Sequence, residues 1–124
     1  MNVIQTQVNI YNFLKQFGTP YLEKEVPDNI MVDGVGVPVP FPYLTYVFEI
    51  ENWRTTGLGQ IRIWDEGESA QDIFQIAENI EDEIGEGYIA GNLVMHAGSP
   101  FVQIVPQEDE NIKCLYLNLE IDYL

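Results

Sequence analysis

Apolar residues recur along the chain with two spacings, and the longer spacing predicts two helices. The first helix is expected within residues 1–18, where apolar side chains recur every three or four residues: Ile10, Phe13, Leu14 and Phe17. The second and longer helix is expected over Ser69–Ile84, with its apolar positions at Ala70, Ile73, Ala77, Ile80 and Ile84. Ser69 suits its N-cap, with Asp72 completing a capping box, and Gly85 suits its C-terminal end.

The shorter spacing, in which residues alternate, predicts strands. Tyr43–Glu51 and Gln60–Trp64 are expected to form a hairpin that turns around Thr55–Gly59. The C-terminal third then adds strands at residues 88–89, 93–96, 101–105 and 112–123. Runs of strands around one packed helix indicate an α+β fold, in which a mostly antiparallel sheet packs against one long helix.

Prolines and glycines interrupt both patterns between residues 19 and 42. Five prolines in this segment remove backbone donors and fix φ, so we expect an extended arm with an edge segment or a small hairpin that turns near Asp33-Gly34. The length of 124 residues suits a single domain. It would comprise the N-terminal helix (1–18), the arm (19–42) and a sheet-plus-helix core (43–124).

Charge changes this picture more than any other part of the composition. Twenty acidic residues against five basic ones give a net charge of −15, which opposes specific binding to nucleic acid or to anionic lipid. Nine of the acidic residues lie between Asp65 and Glu86, where no Lys, Arg or His occurs. We expect this region to line an acidic lumen or to meet a basic partner. Its candidate residues are Asp65, Glu66, Glu78, Glu81, Asp82 and Glu83.

Few residues offer chemistry. The single cysteine, Cys114, lies within an alternating apolar run and is expected to be a buried thiol, and the single histidine, His96, has no second histidine or cysteine as a co-ligand. Phosphate-binding, nucleophile-elbow and zinc-protease motifs are absent from the sequence. No apolar stretch approaches the roughly 20 residues that span a bilayer. We therefore expect no catalytic residue, cofactor, metal or membrane partner.

Tryptophan and arginine surround the predicted hairpin. Arg62 and Trp64 should point away from Ile61 and Ile63, and exposed Trp and Arg are frequent anchors of protein interfaces. The candidate residues for a subunit interface are Trp53, Arg54, Arg62 and Trp64.

Three segments resemble small prophage proteins of Gram-positive hosts. They are Val37–Glu49, Gly59–Asp65 with the helix that follows it, and Lys113–Leu124. Those proteins are similar to the tail-terminator, or tail-completion, class of tailed bacteriophages. The resemblance implies a virion structural protein with a sheet packed on helices, which closes the tail tube as a ring, usually of six subunits. It also implies tail-tube and head-completion proteins as partners, and assembly in the host cytoplasm before incorporation into the virion.

Other functions remain open at the level of sequence. A neck or connector component belongs to the same class as a tail terminator. An acidic inhibitor or immunity-type protein, which masks a basic site on its partner, is the alternative favoured by the acidic block from Asp65 to Glu86. A small enzyme with an unrecognised site is the third possibility.

Overall fold

The computed structural model describes residues 3–52 and 56–123. The helices are α1 (Val3–Leu14) and α2 (Gln71–Ile84). The strands are β1 (Pro20–Leu22), β2 (Asn29–Val32), β3 (Val35–Pro38), β4 (Tyr43–Asn52), β5 (Thr56–Glu66), β6 (Tyr88–Ala90), β7 (Leu93–Ile104) and β8 (Ile112–Tyr123).

One six-stranded sheet organises the described chain, in the order β1-β4-β5-β8-β7-β6. Only the β1–β4 pair is parallel, so the expected mostly antiparallel α+β arrangement is confirmed. The strand latest in sequence, β8, lies in the interior of the sheet between β5 and β7. Strands β2 and β3 form a separate two-stranded hairpin.

The two helices are of similar length, whereas the sequence predicted one long helix in addition to the N-terminal helix. α1 has 12 residues and α2 has 14, and both contribute fully buried side chains to a single core cluster. Each helix buries four residues on one face, so both helices cover the core. Within the described residues, neither helix is long and apolar enough to cross a membrane.

α1 contacts β1 and β6, which are the two edge strands of the sheet. Phe13 of α1 packs against Tyr88 of β6 with their ring centroids 4.6 Å apart. On the other side, the Gln7 amide donates to the Tyr46 hydroxyl over 2.8 Å. A flat six-stranded sheet would hold its edges too far apart for one helix to reach both. The sheet therefore curls around the core.

The arm between residues 19 and 42 contains the hairpin that the sequence predicted. β2 and β3 pair in antiparallel register, and Asp33 (φ 52°) and Gly34 (φ 80°) form its two-residue turn. Positive φ at both positions is the geometry that an Asp-Gly pair favours, and it matches the twist of the flanking strands. The arm begins with β1, which pairs with β4 at the sheet edge.

Two local predictions were wrong. The segment from Thr56 to Gly59 was expected to turn, but it belongs to β5 and pairs with both β4 and β8. Gly59 lies inside this paired segment, opposite Phe48 of β4 and Leu119 of β8, so it does not mark a turn. The remaining residue of the expected turn, Thr55, lies outside the described residues.

The expected capping box at the start of α2 is also absent from the described structure. Ala70 occupies the N-cap position, one residue later than predicted, and no side chain caps it. Ser69 still accepts a hydrogen bond at its Oγ from the Gln71 N–H, at 3.2 Å, which satisfies one free donor of the first turn. At the other end Gly85, with φ 52°, ends the helix as expected.

Candidate functional site

The face of the sheet opposite the helices carries the predicted interface residues Arg62 and Trp64. Ile61 and Ile63 are buried in the core, and alternation along β5 sends Arg62 and Trp64 to the other face. The predicted orientation of Arg62 and Trp64, away from Ile61 and Ile63, is confirmed, and their place in a subunit interface stays a prediction. Trp53 and Arg54, the other two predicted interface residues, lie outside the described residues.

The positive charge of Arg62 is paired with a carboxylate of its own chain. Its guanidinium forms an ion pair with Glu23, and both side chains are 26% exposed. The Arg62 Cζ atom also lies 4.3 Å from the centre of the Tyr116 ring, a cation–π distance, and its Nε donates to the Gln60 Oε1 over 3.3 Å. Arg62 therefore already stabilises the subunit, and a role in a subunit contact stays a prediction.

Aromatic rings surround Trp64 on the same face. Trp64 stacks on Tyr43 with an interplanar angle of 20° and a centroid distance of 6.5 Å, and its Nε1 donates to the Thr45 Oγ1 over 3.0 Å. Phe41 and Tyr21 extend the cluster by packing against Tyr43, at centroid distances of 5.2 and 6.1 Å. The tryptophan is thus held in one orientation by a hydrogen bond and by ring packing.

The predicted acidic surface is formed mainly by α2. Its exposed members on this helix are Glu78, Glu81, Asp82 and Glu83. Within the described part of the chain, no cationic side chain forms an ion pair with any of them. Glu66 is exposed at the end of β5, whereas Asp65 is buried and accepts a hydrogen bond from the Glu66 N–H over 2.8 Å. Asp65 is therefore no part of the exposed surface, because alternation along β5 turns it inward.

Cys114 and His96 occupy different parts of the structure. Cys114 is buried as expected, and burial raises the pKa of its thiol to about 12, an effect that the Arg62 charge opposes. His96 is half-buried, with its Nε2 atom 3.3 Å from the Asp122 carboxylate and its Nδ1 atom 3.2 Å from the Glu86 carbonyl oxygen. Among the described residues, no group of three or more His, Cys, Asp or Glu side chains could hold a metal ion.

A groove between the start of α2 and the junction of β7 with β8 was missed by sequence reasoning. It encloses about 390 Å³ and is lined largely by apolar side chains, among them Ile73, Phe74, Ile104, Pro106 and Ile112. Ile104 is 69% exposed and Phe74 44% exposed, which is high for large apolar residues. The only sequence signal was the apolar alternation in β7, and that pattern does not reveal which side chains the fold leaves uncovered.

Lys113 is part of the groove lining, near its β8 end. At the α2 end a smaller depression continues from Phe74 past Val102 to Glu78 and Glu81. Glu110 lines the groove beside Lys113, whose ammonium donates to the Glu110 carbonyl oxygen. This end therefore carries one cation and one carboxylate, whereas the α2 end carries two carboxylates, Glu78 and Glu81.

The β2–β3 hairpin has an apolar face of its own. Register and alternation place Ile30, Val32, Val35 and Val37 on that face. The pair near its base, Ile30 and Val37, is half-buried, whereas Val32 and Val35 beside the turn are exposed. Exposure thus increases toward the tip.

No protein-family model and no curated protein sequence matches this chain. Solved structures do match it, and one of them, whose name states no activity, aligns over 100% of this chain and 96% of its own. That pair has a TM-score of 0.62 and 11% sequence identity. The similarity shows that the fold occurs elsewhere.

Proposed function

We propose that this chain is a non-catalytic virion protein of a tailed bacteriophage, which assembles as a ring at the end of the tail tube. It would serve as the tail terminator or as a closely related head–tail joining component. The observation that carries the proposal is the β2–β3 hairpin, whose apolar face is exposed at Val32 and Val35. An isolated two-stranded hairpin is marginally stable in water, so its exposed face suits a partner that covers it.

The charge of α2 supports the same proposal. Its exposed carboxylates would repel one another if copies packed through this helix, so a ring would direct the helix toward a solvated rim or toward the lumen. A negative lumen would let DNA pass without binding to it. In this arrangement the acidic surface is a DNA-facing or partner-facing wall.

The resemblance to tail terminators supplies the remaining parts of the proposal. Partners would be further copies of the chain, six in a ring, together with tail-tube and head-completion proteins. Assembly would take place in the host cytoplasm, and the protein would then remain in the tail or neck of the virion.

The exposed carboxylates of α2 favour one second candidate, an acidic inhibitor that masks a basic partner. Glu78, Glu81, Asp82 and Glu83 lie free of cationic side chains within the described residues, as an inhibitor surface would require. This candidate requires a one-to-one complex with a basic protein and no ring.

The test is deletion of the gene from the phage, followed by electron microscopy of the particles. We expect tails of irregular length, or heads and tails that are not joined, and restoration by the intact gene supplied on a plasmid. Negative-stain images of the purified protein should show rings. Uniform tails that remain joined to heads would contradict the proposed function, and a stable one-to-one complex with a basic protein would favour the inhibitor.

A further inference from the structure

We propose that the tip of the β2–β3 hairpin of one subunit docks into the groove between α2 and the β7–β8 junction of a second copy. The inference rests on the proposed ring assembly and names the contact that would hold the ring together. Each of its two surfaces is incomplete in the single subunit: the hairpin exposes Val32 and Val35, and the groove exposes Phe74 and Ile104.

The positions of the two surfaces suit a head-to-tail contact. The hairpin lies in the connection from β1 to β4, which are on one side of β5 in the strand order, whereas the groove lies beside β7 and β8 on the other side. When one subunit inserts its hairpin into a neighbour, the neighbour keeps its own hairpin free for the next subunit. Repetition of such a contact gives a ring if the rotation closes.

Charge indicates why a second copy of this acidic chain can occupy the groove. The hairpin segment from Asn29 to Pro38 carries a single charge, Asp33, at its turn. The groove lining carries one basic residue, Lys113, and one acidic residue, Glu110, so its formal charges cancel in a chain that is otherwise strongly acidic. The hairpin is thus an exposed segment that a copy with a net charge of −15 can bring close with little repulsion.

The same charges set the direction of insertion. Asp33 at the tip would point toward Lys113, because Lys113 offsets the single carboxylate of Glu110 at that end, whereas the opposite end carries Glu78 and Glu81 with no cation in its lining. Val32 and Val35, beside the turn, would then contact Phe74 and Ile104. Burial of these side chains supplies the attraction, and the Asp33–Lys113 pair fixes the orientation.

The first test is disulfide trapping between two single-cysteine additions. A Val35→Cys protein is mixed with an Ile104→Cys protein at pH 8 under mild oxidation, and linked peptides are identified by mass spectrometry. The matched control replaces Ile104→Cys by Ile89→Cys, since Ile89 is 67% exposed and Ile104 69%. Cys114 also lines the groove, so all of these proteins carry Cys114→Ala and any link must join the two added thiols. We expect the Val35–Ile104 pair to link at least about tenfold faster than the control, because docking raises the effective concentration of the two thiols.

The second test compares charged variants at the same two positions by sedimentation. Ile104→Asp should abolish association, whereas Ile89→Asp should leave it unchanged, and circular dichroism checks that both remain folded. Asp33→Asn and Lys113→Gln should each weaken association. The double variant should associate no more weakly than the more affected single variant, because the two groups act as a pair. Asn tolerates the positive φ of this turn position, so the hairpin is retained.

The outcomes separate this contact from the proposed function. Rings that form normally with Ile104→Asp, and without the Val35–Ile104 link, would overturn the docking and leave the ring proposal standing. A wild-type protein that stays monomeric at every concentration and salt level would overturn both. If trapping and variants behave as expected while gene deletion leaves tails uniform, the contact stands and the phage role fails.

Discussion

Arg62 meets three groups of its own subunit, and this limits what the side chain can offer a partner. The guanidinium pairs with Glu23, lies over the Tyr116 ring and contacts the Gln60 amide oxygen. Glu23 follows β1, so the ion pair links the edge of the arm to the centre of the sheet. Arg62, which the sequence suggested as an interface residue, therefore also connects two parts of one subunit.

Replacing Arg62 should measure that role. Arg62→Ala is expected to lower the free energy of unfolding by about 1–2 kcal/mol, through loss of a partly buried ion pair and of a cation–π contact. Arg62→Lys keeps the charge but lacks the planar guanidinium, so its free energy of unfolding should lie between those of wild type and Arg62→Ala. Urea denaturation gives the values, and Lys15→Ala, at an exposed position in the turn after α1, is the control with little expected change. Equal stability of wild type and Arg62→Ala would show that these contacts contribute nothing.

Cys114 predicts a specific dependence of stability on pH. Its thiol has a pKa of about 12 in the folded chain against an ordinary value of 9.0, so the folded state holds its proton more tightly. Above pH 9 the unfolded chain releases that proton first, and stability therefore falls as pH rises toward 12. The slope contributed by one group is at most about 1.4 kcal/mol per pH unit.

The measurement is urea denaturation of wild type and Cys114→Ala between pH 8 and about pH 10.5. Burial also raises the pKa of Tyr43 and Tyr46, so both proteins should lose stability in this range. Wild type should lose it more steeply. Parallel pH profiles would contradict the assignment of this effect to the thiol.

At the scale of elements, α2 carries its charges where its dipole disfavours them. Asp72 lies in the first turn, where negative charge is favourable, but Glu81, Asp82 and Glu83 lie in the last turns without a basic residue there. A helix selected for stability alone would reverse the charges at its C-terminal end. The cost suggests that these carboxylates serve an external purpose.

Charge reversal at the two ends of α2 tests this interpretation. Glu83→Lys should raise the free energy of unfolding by about 0.5 kcal/mol, and Asp72→Lys should lower it by a similar amount, because the two ends of the helix dipole have opposite sign. Thermal unfolding at low salt gives both values. If α2 faces DNA in the proposed ring, Glu83→Lys should also reduce the yield of infectious phage despite its greater stability. A stabilised variant with full phage yield would argue against that placement.

Helices, strands and turns could be predicted from the sequence where the local pattern and the tertiary structure favour the same residues. The apolar positions of α2 and the Asp33-Gly34 turn are examples, since periodicity and positive φ are encoded locally. The strand at Thr56–Gly59 was missed because Gly57 and Gly59 indicate a turn locally, whereas pairing with β4 and β8 on both sides keeps the segment extended. The groove was missed for a related reason. Exposure of Ile104 depends on where α2 and the β7–β8 junction meet, and no local pattern contains that information.

For the whole molecule, net charge and apolar contact act against each other. A subunit with a net charge of −15 repels its copies at long range, while the proposed contact of hairpin and groove attracts at short range. Salt screens the first effect and leaves the second nearly intact. The two effects can therefore be separated in solution.

Self-association should strengthen as salt rises from about 0.05 to about 0.5 M NaCl, since the screening length falls from more than 10 Å to less than 5 Å. Sedimentation velocity at fixed protein concentration measures the shift from monomer to larger species. A variant in which Glu81 and Glu83 are both replaced by Gln should associate more readily at low salt and depend less on salt. Association that weakens with salt would mean that ion pairs, not apolar burial, hold the copies together.

The interior position of β8 has a consequence for how the chain reaches its fold during synthesis. β8 is the only strand that joins β4 and β5 to β7 and β6, so the two halves of the sheet stay separate until residues 112–123 have left the ribosome. α1 is synthesised first, but its contact with β6 cannot form until residues 88–90 have been synthesised. The core that these elements share is therefore completed only late in translation, and the strong negative charge of the chain opposes aggregation of the partly folded state until then.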